Sequence, residues 1–256
     1  MAKILFFGTC AGTEPIEGMH HAAIAIEING FYYWFDAGEN CSRTATHMGV
    51  DLLKVKHIFI SHTHMDHVAG LVMLLWNINK FARRKDISID NKISISIPNM
   101  ASWEGIKLLL SNDNKNFFDR VNVDVNRTID GFIYADENIK VSAVHNAHMG
   151  YTENDVPLSF SYIIDVADKR IVYTGDIKFL SELETMINNG CDILICETGH
   201  HKVADICRLV SNKNVKTLLF THNGREIIGQ RAEVEKILAD CGFEARICYD
   251  GMVFEV

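Results

Sequence analysis

Residues 56–70 read "KHIFISHTHMDHVAG". An apolar run, Ile58-Phe59-Ile60, gives way to His62, His64, Asp66 and His67, and a second apolar run, "LVMLLWNI", follows at 71–78. Histidine and aspartate are the usual nitrogen and oxygen ligands of zinc and related divalent cations. In an extended segment alternate side chains point the same way, so His62 and His64 can converge on one ion. A turn after them can direct Asp66 and His67 to a second ion nearby. The strand before the cluster, and a helix expected from Val68 to about Arg83, would act as rigid supports that present the ligands at fixed spacing. With 12 histidines in 256 residues, a chance His-rich surface loop does not explain three His and one Asp so close together.

The rest of the chain bounds what such a cluster can serve. Nearly half of the residues are apolar and 23% are charged, as in a soluble globular protein with a sizeable core. No apolar run approaches the roughly 20 residues that cross a bilayer. The opening "MAKILFFGTC" reads as a first strand rather than a signal peptide, so a cytoplasmic location is expected. Seven cysteines form no CxxC pair, which suits reduced, mostly buried thiols acting as small hydrophobes. The net charge of −8 argues against a grip on long nucleic acid. The basic cluster "KFARRK" (80–85) fits a helix end, where cations favour the helix dipole.

Strand-like runs recur: "KILFFG", "AAIAIEI", "FYYWFDAG", "HIFISH", "KISISIPN", "IKVSAV", "FSYIIDV", "RIVYTGD", "DILICE" and "KTLLFTH". Helical patterns lie between the later ones, at "SWEGIKLLL", "LSELETMINNG", "KVADICRLVSN" and "GQRAEVEKILADCG". "ARICYDGMVFEV" is expected to close the chain as a hairpin turning at Asp250-Gly251. No linker, repeat or low-complexity block interrupts the sequence, so residues 1–256 are expected to form one α/β domain. Its expected layering is two facing mixed sheets with helices outside, a four-layer αββα sandwich. The aromatic run "FYYWF" would pair with a second copy if it lay at a sheet edge, giving a homodimer; it would serve equally well as core.

"SHTHMDHVAG" resembles the HxHxDH signature of the metallo-β-lactamase superfamily. The order of the other elements is similar too. "VSAVHNAHMG" resembles the strand that supplies a third histidine, "RIVYTGD" the strand ending in a bridging aspartate, and "KTLLFTHNG" the late strand ending in the last histidine. Asp36 in "YYWFDAGE" resembles the early structural aspartate beneath the site. The resemblance implies that His62, His64 and His148 hold one metal, that Asp66, His67 and His222 hold another, and that Asp176 bridges them. His145 competes with His148, and the spacing in the family favours His148. His47 and His57 read as ordinary. The implied cofactor is a pair of divalent cations, Zn2+ foremost, with Mn2+ or Fe2+ also suited to such ligands. Two such ions sharing a water lower its pKa toward 7, so a bridging hydroxide rather than a side chain would be the nucleophile.

Within the superfamily, "FFGTCAGTEP" and "ICETGHHKVADICRLV" resemble the ribonuclease Z and small-phosphodiesterase branch. That likeness implies a catalytic role for Asp66, and for His200 as the acid that protonates the leaving oxygen. His201 is its near rival, and Glu197 would orient the imidazole. His20 and His21 would lie near the substrate or in the core. The short span between His148 and Asp176 leaves no room there for the arm with which ribonuclease Z grips tRNA. The expected substrate is therefore a small phosphodiester, such as a cyclic nucleotide or cyclic phosphate. Three alternatives remain at this point. One is a lactonase or other ester hydrolase assisted by Tyr151 or Tyr173. The others are a ribonuclease Z-like nuclease and a metal-binding protein without catalysis. "SWEGIKLLLSNDNKNFFDRV" (102–121) would wall the pocket or form a core helix with a polar loop.

Overall fold

The computed structural model describes residues 1–86, 92–111 and 117–256. Its first strands, β1 (Lys3–Gly8), β2 (Ala23–Ile28) and β3 (Phe31–Phe35), form an antiparallel meander. Asn29 and Gly30 make the tight β2–β3 turn with φ of 52° and 75°, the left-handed pair that matches strand twist in a two-residue hairpin. Parallel neighbours need long crossovers, and β4 (Val55–Phe59), β5 (Ile93–Ile97) and β6 (Val123–Arg127) join beside β3 in that way. The second sheet repeats the plan. β7 (Gly131–Ala135), β8 (Ile139–His145), β9 (Phe160–Val166) and β10 (Lys169–Tyr173) are antiparallel in turn. β11 (Cys191–Glu197), β12 (Val215–Thr221) and β13 (Glu244–Ile247) then add in parallel. The final strand, β14 (Val253–Glu255), returns to pair with β1 and completes seven strands in each sheet.

Three apolar layers hold this together. Ile26, Phe35, Phe59, Tyr162, Ile164, Ile195 and their neighbours fill the space between the sheets. Leu71, Leu74, Leu75 and Ile78, spaced three and four apart on the helix Leu71–Lys85, bury one stripe against the outer face of the first sheet. Val203, Ile206, Cys207 and Val210 do the same on the helix Val203–Val210 over the second sheet. The architecture is the expected αββα sandwich. None of the described helices is long and apolar enough to cross a membrane. All seven cysteines are free thiols, six of them buried.

Two expectations are corrected, the closing hairpin and the single helix after the histidines, and two readings left open are placed. The last segment is not a hairpin: β13 pairs with β12 in one sheet and β14 with β1 in the other, so the turn at Asp250-Gly251 crosses between sheets. Its Asp-Gly pair specifies a reversal of the chain but not which neighbour each strand meets. "FYYWF" is no sheet edge, because β3 lies between β2 and β4. The helix after the histidines is broken into Met65–Val68 and Leu71–Lys85. The helix Met100–Ser111 buries Trp103 and Leu110, and the polar stretch at 112–116 lies outside the described residues.

His57 is a core residue of a particular kind. Its ring stacks on Phe59 at 3.8 Å and meets the edge of Tyr134 at 4.4 Å, and Nε2 shares a hydrogen bond with Ser96 Oγ at 2.9 Å. Burial pushes its pKa from the ordinary 6.5 down to about 3. The unfolded chain therefore takes up this proton first. The contribution of His57 is fully present above about pH 6.5 and is lost as pH falls toward 3. Between pH 6.5 and 5 the wild type should lose about 2 kcal/mol that His57→Phe does not lose. Urea midpoints of the two proteins across that interval measure the difference.

Candidate metal centre

Strands β8, β10, β11 and β12 of the second sheet run in one direction, and the segments after them gather with the one that follows β4 of the first sheet. Each delivers polar side chains just past its last residue, the usual place for a site in an α/β sheet. His62 and His64 follow β4, and Asp66 and His67 sit on the short helix Met65–Val68. His148 follows β8, Asp176 follows β10, Glu197 ends β11 with His200 after it, and His222 follows β12. The approach of β10's end to the first sheet requires Gly175. It has φ 53°, and a Cβ there would lie 2.7 Å from Ser61 Cβ.

The donors gather into three overlapping groups of four that share Asp176: two hold the expected ligands, and the third is Asp176, Glu197, His200 and His222. In the first group, His64 Nδ1 lies 3.0 Å from His62 Nε2 and 3.1 Å from His148 Nε2. Asp176 Oδ2 lies 3.8 Å from His62 Nε2 and 3.6 Å from His148 Nε2. In the second, Asp66 Oδ2 is 3.4 Å from His67 Nε2 and 3.1 Å from His222 Nε2. Asp176 Oδ1 is 3.3 Å and 3.4 Å from the same two nitrogens. Tetrahedral donors about 2.0–2.1 Å from one ion would stand about 3.3–3.4 Å apart. Both groups fit that spacing. His67 Nε2 and Asp176 Oδ1 are also buried with no hydrogen-bond partner, a cost that a cation between them would remove. The residues fit a pair of metal ions.

Electrostatics agree. Burial alone would raise the Asp176 carboxyl, but His222, His67 and His62 hold it well below the carboxylate range. Asp66 is likewise held low, against burial, by hydrogen bonds from His222 and His67. Burial opposes a charged His222, yet Asp176, Asp66 and Glu197 push it up to about 9. Clustered buried carboxylates thus demand positive charge.

Beneath the donors lies Asp36, fully buried, with φ 56°. It accepts four hydrogen bonds: from Ser61 N and Oγ at 2.7 Å each, His67 Nδ1 at 2.8 Å and Tyr173 OH at 2.7 Å. The Nδ1 bond leaves His67 Nε2 free to face the site. Tyr173 is thereby committed to the interior, which removes it as an aid to ester hydrolysis.

The competing candidates separate. His145 pairs with exposed Asp130 at 2.7 Å, outside both donor groups, while His148 stands within one. His200 Nδ1 meets Glu197 Oε1 at 3.1 Å, and His200 N donates to Oε2 at 2.9 Å. That hydrogen bond to Glu197 raises the His200 pKa. Burial would raise Glu197, but the His200 bond and the neighbouring His222 hold it down to about 2. His201 Nε2 is taken by the Ile177 carbonyl at 3.0 Å. His20 bonds Asp250, and His21 faces Glu39 and the Thr13 carbonyl. A cleft of about 410 Å³ opens over the donors, bounded in part by Thr13, Met65, His200 and Arg225. At its mouth Arg225 pairs with Glu14, a contact the sequence did not suggest.

One wall is tight against a donor. A Cβ at Gly199 would lie 2.6 Å from His222 Nδ1 and 2.7 Å from Cε1. Gly199→Ala should displace that imidazole and reduce metal affinity and kcat/KM by about 10–100-fold. Elemental analysis beside steady-state kinetics checks this outcome.

Comparisons with known proteins follow the same lines. The family model described as "Anti-Pycsar protein Apyc1" matches residues 2–227. Ribonuclease Z of Picrophilus torridus is 28% identical over 264 aligned residues, covering 86% of this chain and 85% of that protein. The metallo-β-lactamase fold protein YhfI from Bacillus subtilis superposes with a TM-score of 0.74 at 16% identity, covering 100% of this chain and 99% of YhfI. A diphosphatase of the PhnP family superposes with a TM-score of 0.68 at 17% identity, covering 100% and 98%.

Proposed function

This chain belongs to the Anti-Pycsar protein Apyc1 family and to the metallo-β-lactamase superfamily of metal-dependent hydrolases, and on that footing we propose that it hydrolyses a small phosphodiester. A cyclic nucleotide or cyclic phosphate fits best. The observation that carries this reading is the pair of four-donor groups sharing the two oxygens of Asp176, with His200 and Glu197 on their flank. His62, His64, His148 and Asp176 would hold one cation, and Asp66, His67, Asp176 and His222 the other. Bound there, Zn2+ or a similar ion would lower the pKa of water and polarise a phosphoryl oxygen. Asp66 would also orient the attacking water. His200, whose protonated form the Glu197 carboxylate favours, would give its proton to the leaving oxygen. The cleft of about 410 Å³ suits a small ligand. The net charge of −8 disfavours a long polyanion.

A panel with defined metals tests this. Zinc- and manganese-reconstituted protein would be offered bis(p-nitrophenyl) phosphate, 2′,3′- and 3′,5′-cyclic nucleotides, an acyl-homoserine lactone and a precursor tRNA. Turnover of the cyclic phosphodiesters above the other substrates is expected. Turnover of the lactone alone, or of the tRNA alone, would overturn the reading.

A further inference from the structure

His222 stands in a left-handed conformation, φ 48°, which a side chain with a Cβ rarely adopts and which its surroundings must enforce. The residue after it is clamped on both sides of its peptide. Asn223 N donates to Thr9 O at 2.6 Å, and Ala11 N donates to Asn223 O at 3.2 Å. The clamping segment is itself fixed by one carboxylate from the far end of the chain. Thr9 N and Thr9 Oγ1 donate to Asp250 Oδ1 at 2.9 and 2.8 Å. Asp250 Oδ2 accepts from His20 N at 2.6 Å, with His20 Nδ1 at 3.1 Å, and His20 O receives Cys10 N at 2.8 Å. A second tie runs from Asn223 Nδ2 to Cys248 O at 3.0 Å. The turn that crosses between the sheets therefore grips the His222 segment twice. It carries none of the donors and lies beyond residue 227, where the family match ends.

We propose that Asp250 is a positioning residue for the second donor group. It fixes Thr9–Ala11, which holds His222 in the strained conformation that aims Nε2 at Asp66 and Asp176. The inference rests on the dinuclear reading above. It is specific to one of the two groups: His62, His64 and His148 have no such tie to the turn.

That asymmetry gives the test. Zinc-reconstituted full-length protein and its Asp250→Ala variant would be compared by elemental analysis and by competition with a chromogenic chelator. In the variant the first zinc equivalent should bind as in the wild type, and the second about 10–100-fold more weakly, with an unchanged far-UV circular dichroism spectrum. Thr9→Val, which removes a single hydroxyl hydrogen bond, should weaken the second equivalent about 2–10-fold, and it decides the matter if Asp250→Ala does not fold. Two equivalents held with wild-type affinity in the variants, or both weakened equally, would overturn the role of Asp250. A wild type that takes up fewer than two equivalents would instead overturn the dinuclear reading, and this inference with it.

Discussion

Asp36→Asn is expected to weaken the protein's hold on its second metal and to lower kcat/KM by about 10–100-fold, although Asp36 touches no substrate. The reason is tautomeric. Asp36 Oδ2 receives Ser61 Oγ, His67 Nδ1 and Tyr173 OH, while Oδ1 receives Ser61 N. All four partners are donors. An amide nitrogen at Oδ1 would confront the Ser61 N–H. At Oδ2 it would force His67 to accept at Nδ1 and so carry its proton on Nε2. Nε2 is the atom that stands 3.3 Å from Asp176 Oδ1 and 3.4 Å from Asp66 Oδ2, and once protonated it cannot ligate. Loss of such an orienting partner typically weakens metal binding about 10–100-fold. The first donor group should suffer less. It feels Asp36 only through Ser61 Oγ, which lies 3.1 Å from His62 Nδ1. Asp36→Ala should be worse in another way, since each buried donor left without a partner costs about 1–3 kcal/mol. Metal content after gel filtration, and melting of the metal-free proteins, separate the two effects. An Asn variant with two tightly held equivalents would show that Asp36 does not set the His67 tautomer.

What could be read in advance follows from where the physics is local. His62, His64, Asp66 and His67 lie within six positions between two apolar supports, so their type and spacing announce chemistry before any fold is known. The ten buried or half-buried strands quoted from the sequence alternate or run apolar, and so declare themselves. β6 and β7 do not. They are the outer strands of their sheets, largely exposed, and "VDVNR" and "GFIYA" carry no clear inward face. The tie between Asp250 and Thr9 spans 241 positions. An Asp-Gly pair gives a turn, and only the assembled sandwich shows that its carboxylate is turned inward. The choice between His145 and His148 depended on family spacing, because both follow the same strand. In space it depends on the loop after β8, where His145 is drawn out to Asp130 and His148 stays among the donors.

The sharpest kinetic consequence concerns His200. Its replacement by alanine should lower kcat/KM for a cyclic nucleotide by about 10²–10⁴-fold, the usual worth of a positioned acid. It should change bis(p-nitrophenyl) phosphate far less. The ribose alkoxide released from a cyclic nucleotide is strongly basic and must gain a proton as the P–O bond breaks, whereas p-nitrophenolate leaves unaided. Glu197→Gln should show the same selectivity in weaker form. An amide still reaches His200 Nδ1 at the 3.1 Å position but removes the charge that favours the imidazolium. His201→Ala should be nearly silent toward both substrates, since its Nε2 is bound to the Ile177 carbonyl. Metal content is the necessary companion measurement, because His200 Nδ1 is only 3.8 Å from Asp176 Oδ2. If His200→Ala keeps two equivalents and loses activity only on the poor leaving group, the imidazole is the proton donor. Equal losses on both substrates with the metals retained would mean that it holds the phosphoryl group instead, and the acid would have to be sought elsewhere on the rim of the cleft.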